Sequence, residues 1–204
     1  MVKGGYTYQN LHVAQNPNAE SAFRKIIADL EPTVVLEIGT FHGGLTLLLR
    51  EILDESNLQN SKLITYDTEP QVFLKPIVKS RQLDIDVRTE NLFSYSYLEW
   101  KDKDSKNIIS NIIAEGNPIL VICDGGCKRC EFRLISSLLK EGDVIMAHDY
   151  APNKEIFEAT IKGKIWDWME IQDSDIDPSC EEHNLAPYLQ DVAQEAAWAC
   201  KIKK

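Results

Sequence analysis

Four side chains in the second half of the sequence have types and spacing suited to chemistry at a hydroxyl group. Asp124 follows the apolar run Pro118 to Cys123, Lys128 lies four residues beyond it, and His148 and Asp149 follow a second run, Asp143 to Ala147. Both runs read as strands, and in open α/β sheets the carboxyl ends of strands line the ligand crevice. If the two strands are neighbours, both carboxylates open on one mouth. A neutral aliphatic hydroxyl is a poor nucleophile, so a general base or a divalent cation beside it is useful. If no metal binds, His148 is the natural base, because an unperturbed pKa of about 6.5 lets an imidazole accept a proton near neutrality; Lys128 is a second candidate. The alternative for His148 and Asp149 is a strand-end pair making only turn hydrogen bonds.

These residues need a scaffold, and the stretch Thr33 to Arg50 supplies its start. Val34, Val35, Leu36 and Ile38 follow Pro32 as a short β-branched run suited to a strand buried on both faces. Glu37 interrupts that run, where a carboxylate is costly unless it faces a crevice or a hydrogen-bond donor. Gly39 permits a sharp turn, and Gly43 and Gly44 clear side chains where a helix begins, so that a ligand can approach backbone N–H groups. The alternative is a tight strand-to-helix turn without a ligand. His42, inside this turn, suits packing or a cofactor shelf better than catalysis. A second strand, Leu63 to Asp67, ends in an acid placed to take two ribose hydroxyls, with a turn or helix-capping Asp67 as the alternative.

The spacing Glu37-x-Gly39-x-x-x-Gly43 resembles the first motif of the class I S-adenosylmethionine-dependent methyltransferases. It does not match the G-x-G-x-x-G of dinucleotide-binding enzymes. The second half is similar to the small-molecule O-methyltransferases, particularly the macrocin O-methyltransferase and cephalosporin hydroxylase group. The shared pattern is a hydrophobic strand, Asp124-Gly125, a helix, Leu138-Leu139-Lys140-Glu141-Gly142-Asp143, a strand and His148-Asp149. The matching segments cover roughly residues 32 to 150.

This resemblance implies a doubly wound, mostly parallel seven-stranded α/β sheet of the Rossmann-like methyltransferase type, with an antiparallel last strand. It implies S-adenosylmethionine as cofactor and a small-molecule hydroxyl, of a sugar or secondary metabolite, as acceptor. By the same resemblance Glu37 lies near the methionine end of the cofactor, and Gly39, Thr40, His42, Gly43 and Gly44 lie in the motif that floors it. Asp67 takes the ribose, Asn91 the adenine edge, and Asp124 stands beside the donor methyl. In related metal-dependent enzymes an Asp after the fourth strand and an acidic or amide pair after the fifth hold magnesium. Asp124 and Asp149 match that pattern, whereas His148 replaces an acid. The set Asp124, His148 and Asp149 suits Mg2+ or Mn2+, and the imidazole also opens it to iron or zinc. Catechol-type relatives place a Lys three residues after the first Asp, but Lys128 is four after it.

Composition bounds the alternatives. The 204 residues, with 32 Asp and Glu against 22 Lys and Arg, carry a formal charge of -10, which argues against a nucleic-acid partner. The Asn-Pro-Pro-Tyr and Asp-Pro-Pro-Tyr patterns of nucleic-acid amino-methyltransferases are absent. No apolar run reaches the length of a membrane span and the N-terminus lacks a signal-peptide core, so a cytoplasmic protein of one domain is expected. A homo-oligomer is left open. Five cysteines, an odd count, fit reduced thiols better than disulfides, and Cys123, Cys127 and Cys130 fit buried thiols better than a zinc cluster. A nicotinamide-dependent oxidoreductase using Asp67 in the same way, or a silent adenosyl-binding domain, are the rival functions.

The rest of the sequence reads as follows. Residues 1 to 18 form an irregular arm, and Asn18 caps a helix from Ala19 to Leu30. A third strand lies near Ile85 to Arg88, followed by Glu90, Asn91 and Leu92. Lys101 to Lys106 is a charged loop, and helices run from Asn107 to Ala114 and from Glu131 to Leu139. Ile165 to Ile171 alternates like a strand, Asp173 to Glu182 is an acidic loop in a substrate-side segment (151–204) that either covers a substrate or is a surface connection, and Ala196 to Ile202 is the closing antiparallel strand.

Overall fold

The computed structural model describes residues 5–96 and 98–204. The first elements are β1 (Tyr6–Tyr8), β2 (Leu11–Val13), α1 (Asn18–Leu30), β3 (Val34–Ile38), α2 (Gly44–Glu55), β4 (Lys62–Asp67), α3 (Leu74–Arg81) and β5 (Asp86–Thr89). They are followed by α4 (Lys103–Glu115), β6 (Ile119–Cys123), α5 (Lys128–Ser136), β7 (Val144–Ala147), α6 (Lys154–Ile156), α7 (Asp173–Glu182), β8 (Leu185–Pro187), α8 (Gln190–Gln194) and β9 (Ala199–Lys203). A π-helical turn, Phe157–Ile161, continues α6.

Seven strands form one sheet in the order β5-β4-β3-β6-β7-β9-β8. The five from β5 to β7 are parallel, and β9 runs antiparallel between β7 and β8. The runs that are apolar on both faces, β3 and β6, lie side by side at the centre and are buried at every position. Alternation along β6 sends Leu120 and Ile122 to the layer of α1 and α2, and Ile119, Val121 and Cys123 to the layer of α4, α5 and α7. The strand order reverses between β3 and β6, which opens a crevice beyond their carboxyl ends.

Several segments differ from their sequence reading. Within the segment read as an arm, whose residues 1–4 lie outside the described residues, β1 pairs antiparallel with β2, and Gln9 and Asn10 take positive φ at the two-residue turn. Asn16 rather than Asn18 serves the first turn of α1, its Oδ1 accepting the Asn18 N–H at 2.8 Å. Only the start of the charged 101–106 segment is loop; Asp102 caps α4 by accepting the Ser105 N–H at 2.8 Å. Helix α5 starts at Lys128 and ends at Ser136.

Ile165 to Ile171 forms no strand beyond one bridge between Ile171 and Tyr150. The acidic segment is α7, in which Asp175 and Gln172 close a capping box and the early acids complement the helix N-terminus. Cys127 and Cys130 are joined by a disulfide across the first turn of α5, against the expectation of free thiols; Cys123, Cys180 and Cys200 are free. No helix among the described residues is long and apolar enough to cross a membrane.

Candidate active site

The crevice takes its shape from the turn after β3. Gly39 has φ +98°, and a Cβ there would stand 2.2 Å from the Asp124 carbonyl oxygen, so the loops after β3 and β6 touch only because residue 39 has no side chain. The N–H groups of Gly39 and Thr40 both donate to the Tyr66 carbonyl, at 2.8 and 3.2 Å. Phe41, at φ +50°, turns its own N–H onto Asp67 Oδ2 at 2.7 Å, while Glu69 donates its N–H to Oδ1 at 3.0 Å. Two backbone donors thus fix the Asp67 carboxylate at the rim, where each oxygen keeps a lone pair for a ligand.

A cavity of about 250 Å³ opens there, walled by Gly39, Asp67, Asn91, Asp124 and Gly125 with the apolar faces of Leu92 and Phe93. Asn91 Oδ1 accepts the Phe93 N–H at 3.1 Å, which leaves its amide N–H groups for other partners. Glu131 closes the floor, its carboxylate accepting the N–H groups of Gly125 at 3.1 Å and Cys127 at 3.0 Å. Complete burial pushes Glu131 up to about 7, against the pull of those two bonds.

The remaining first-motif residues stand behind this wall rather than in it. Glu37 is fully buried; its Oε2 accepts the hydroxyls of Thr46 and Thr65, both at 2.6 Å, and its Oε1 has no partner. Burial raises Glu37 to about 7. Thr40 is buried with its hydroxyl 2.6 Å from that of Thr65. The space beside Gly43 is taken by the Leu74 side chain and that beside Gly44 by the His12 carbonyl of β2. These two glycines admit protein, because α3 and the hairpin press on the start of α2. His42 stacks on Phe41 at 4.0 Å between ring centres and, with Phe73, lines an adjoining depression that shares Phe41 and Asp67 with the cavity.

Behind Asp124 the structure brings together all four residues singled out for chemistry. Asp124 Oδ2 accepts the Gln15 amide at 2.6 Å, and Oδ1 lies 3.2 Å from His148 Nδ1. That nitrogen is also 3.4 Å from Asp149 Oδ1, which accepts the Trp166 indole N–H. Lys128 Nζ lies 3.1 Å from Asp149 Oδ2, 3.3 Å from Glu170 Oε2 and 3.8 Å from Asp124 Oδ1. Burial opposes the charge on Lys128, but the three carboxylates outweigh it and hold the ammonium above its ordinary pKa, which favours its charged form. Asp149 adopts φ +57°; burial works against its charge, yet His148, Lys128 and the Trp166 bond hold its pKa below the ordinary carboxylate value.

Asp124, His148 and Asp149, which the resemblance offers to a divalent ion, are engaged here with one another and with Lys128. Among the described residues no group of three or more His, Cys, Asp or Glu side chains is placed to hold a metal ion. His148 is buried against the Trp166 and Trp198 rings, with Nδ1 directed at the two carboxylates and Nε2 unpartnered. The Lys128 ammonium stands among the carboxylates themselves. Gln15, Trp166 and Glu170 escaped the sequence reading: Gln15 lies in a segment read as an arm, while Trp166 and Glu170 lie in one read as a strand.

A family model described as rhamnosyl O-methyltransferase/CmcI matches residues 2–167. No curated protein matches the chain. Among solved structures, a ligand-free form of CmcI aligns with TM-score 0.66 at 13% identity, over 97% of this chain and 76% of that one. A CmcI structure with magnesium and S-adenosylmethionine gives 0.63 at 12%, over 100% and 78%. The O-methyltransferase from Bacillus cereus in complex with S-adenosylhomocysteine gives 0.54 at 14%, over 92% and 81%. These structures share the fold, and the match of the family model over most of the sequence shows that the chain belongs to the rhamnosyl O-methyltransferase/CmcI family of S-adenosylmethionine-dependent O-methyltransferases.

Proposed function

We propose that this chain binds S-adenosylmethionine in the cavity beyond β3, β4 and β6 and methylates a hydroxyl of a small molecule, a sugar or secondary metabolite. The cofactor supplies an electrophilic sulfonium methyl. The protein then has to hold it, align the acceptor and receive the hydroxyl proton. Asp67, fixed by the N–H groups of Phe41 and Glu69, suits the ribose hydroxyls. The Asn91 amide suits the adenine edge, and Leu92 and Phe93 offer its face an apolar wall.

Proton acceptance falls to Asp124. The observation that carries this reading is that Asp124 alone, of the cluster with Lys128, His148, Asp149 and Glu170, also walls the cavity. Gln15 and His148 hold its two oxygens in place. His148, enclosed by indoles, orients Asp124 instead of meeting the acceptor, and Lys128 keeps its proton. Incubation with S-adenosylmethionine labelled in its methyl group and a panel of sugars and phenols tests the reading. Label should pass to at least one acceptor, and Asp124→Asn should lower turnover by about a hundredfold or more, the usual weight of a general base, while S-adenosylhomocysteine affinity changes little. Equal loss of turnover and affinity contradicts the division of roles.

A further inference from the structure

The Lys128 ammonium occupies a position that invites comparison with a bound cation. Its side chain is 12% exposed, and its oxygen neighbours come from three separate segments: Asp124 and the Gly125 carbonyl after β6, Asp149 after β7, and Glu170 before α7. An ammonium has three N–H donors. Here three acceptors stand within hydrogen-bonding reach, Gly125 O at 3.1 Å, Asp149 Oδ2 at 3.1 Å and Glu170 Oε2 at 3.3 Å, with Asp124 at ion-pair distance. The backbone N–H of Lys128 also donates to Glu170 Oε1 at 2.8 Å, so the helix start and the carboxylate are tied together twice.

Such an arrangement does electrostatically what a divalent ion does between Asp124 and Asp149: it neutralises acids that would repel one another and fixes their spacing. The other polar neighbours act in the same sense. Gln15 donates to Asp124, Trp166 donates to Asp149, and His148 Nδ1 faces both. A dication placed between the two carboxylates would meet the ammonium at short range, and His148 turns toward the acids as a partner instead of standing beside them as a third ligand.

We propose that Lys128 is a positioning residue, a tethered cation that takes the place of the divalent ion between Asp124 and Asp149, so that this chain methylates its acceptor without a divalent metal. The proposal rests on the methyltransferase reading for its reaction, but its decisive test is metal binding, which does not depend on that reading.

The test is titration of the chelator-treated chain with Mn2+, followed through the electron paramagnetic resonance signal of the free ion. Wild type and Asp124→Asn should give the same titration, whereas Lys128→Met should gain one Mn2+ per chain and lose it again when Asp149→Asn is added. Lys128→Arg, which keeps the charge, should stay like wild type. Binding of Mn2+ to wild type that disappears in Asp124→Asn overturns the proposal, and this comparison does not require Lys128→Met to fold. A folded Lys128→Met chain that gains no ion overturns it equally. Cofactor binding is read separately, as the rise in melting temperature with S-adenosylhomocysteine. Absence of that rise in wild type refutes the cofactor site and leaves the Mn2+ result to decide the role of Lys128.

Discussion

The Gln15 amide donates to Asp124 Oδ2 across 2.6 Å, although 109 positions separate the two residues. Gln15 Oε1 in turn accepts the indole N–H of Trp198 at 3.0 Å. The link between the β1–β2 hairpin and α1 therefore fixes the carboxylate proposed to take the acceptor proton, and the residue preceding β9 fixes Gln15. Both Gln15 and Trp198 are almost wholly buried, so the bonds are shielded from competing water.

Gln15→Ala leaves the Trp198 N–H and one Asp124 oxygen without their partner, at a cost of about 1–3 kcal/mol. Turnover should fall about tenfold or more while the KM for S-adenosylmethionine stays near the wild-type value. Steady-state kinetics beside a urea unfolding curve check this. A rise in KM with unchanged turnover would place Gln15 in cofactor binding instead of in orienting Asp124.

Gly39→Ala meets two obstacles at once, a φ of +98° and an Asp124 carbonyl oxygen 2.2 Å from the new Cβ. Since both loops must move apart, we expect a loss of stability above about 2 kcal/mol together with loss of S-adenosylhomocysteine binding. Equilibrium denaturation and calorimetry measure the two effects. Wild-type stability would mean that the loops are not held in contact.

Glu37 and Glu131 give the stability a pH dependence of definite sign. Both have folded-state pKa values raised to about 7 from an ordinary 4.5, so the folded chain keeps protons that the unfolded chain releases between those values. Their contribution is complete below about pH 4.5 and is lost as the pH rises through 7. For Glu37 the loss is on the order of 3 kcal/mol, at about 1.4 kcal/mol per unit. Glu37→Gln should therefore flatten the melting temperature between pH 5 and pH 8. An unchanged slope in Glu37→Gln would show that Glu37 is ionised throughout that range.

What could be seen from the sequence was the part specified by local runs. Pro118 to Cys123 is a continuous apolar run and Val34 to Ile38 one broken only by Glu37, both flanked by turn residues, so their central burial follows from the sequence. The roles of Gly43 and Gly44 were not legible, because what fills the space beside them, Leu74 and the His12 carbonyl, comes from elements distant in sequence. Trp166 and Glu170 lie in an alternating segment whose pattern fits a strand, but their partners Asp149 and Lys128 draw the segment into an irregular path over the site. Lys128 stands out in the sequence for its closeness to Asp124, although it lies four residues beyond it instead of three, yet three carboxylates from three segments, Glu170 among them, determine that it serves as a bound cation.

The central claim is that Asp67 and Asp124 bound an adenosyl-cofactor cavity in which only Asp124 takes part in the chemistry. Calorimetric titration of the wild-type chain, Asp67→Ala and Asp124→Asn with S-adenosylhomocysteine tests it most directly, with NAD as the contrasting ligand. We expect one S-adenosylhomocysteine per chain, about tenfold weaker binding or worse in Asp67→Ala, corresponding to about 1.4 kcal/mol, and near-unchanged binding in Asp124→Asn. No heat with S-adenosylhomocysteine, or a heat with NAD that vanishes in Asp67→Ala, would contradict it.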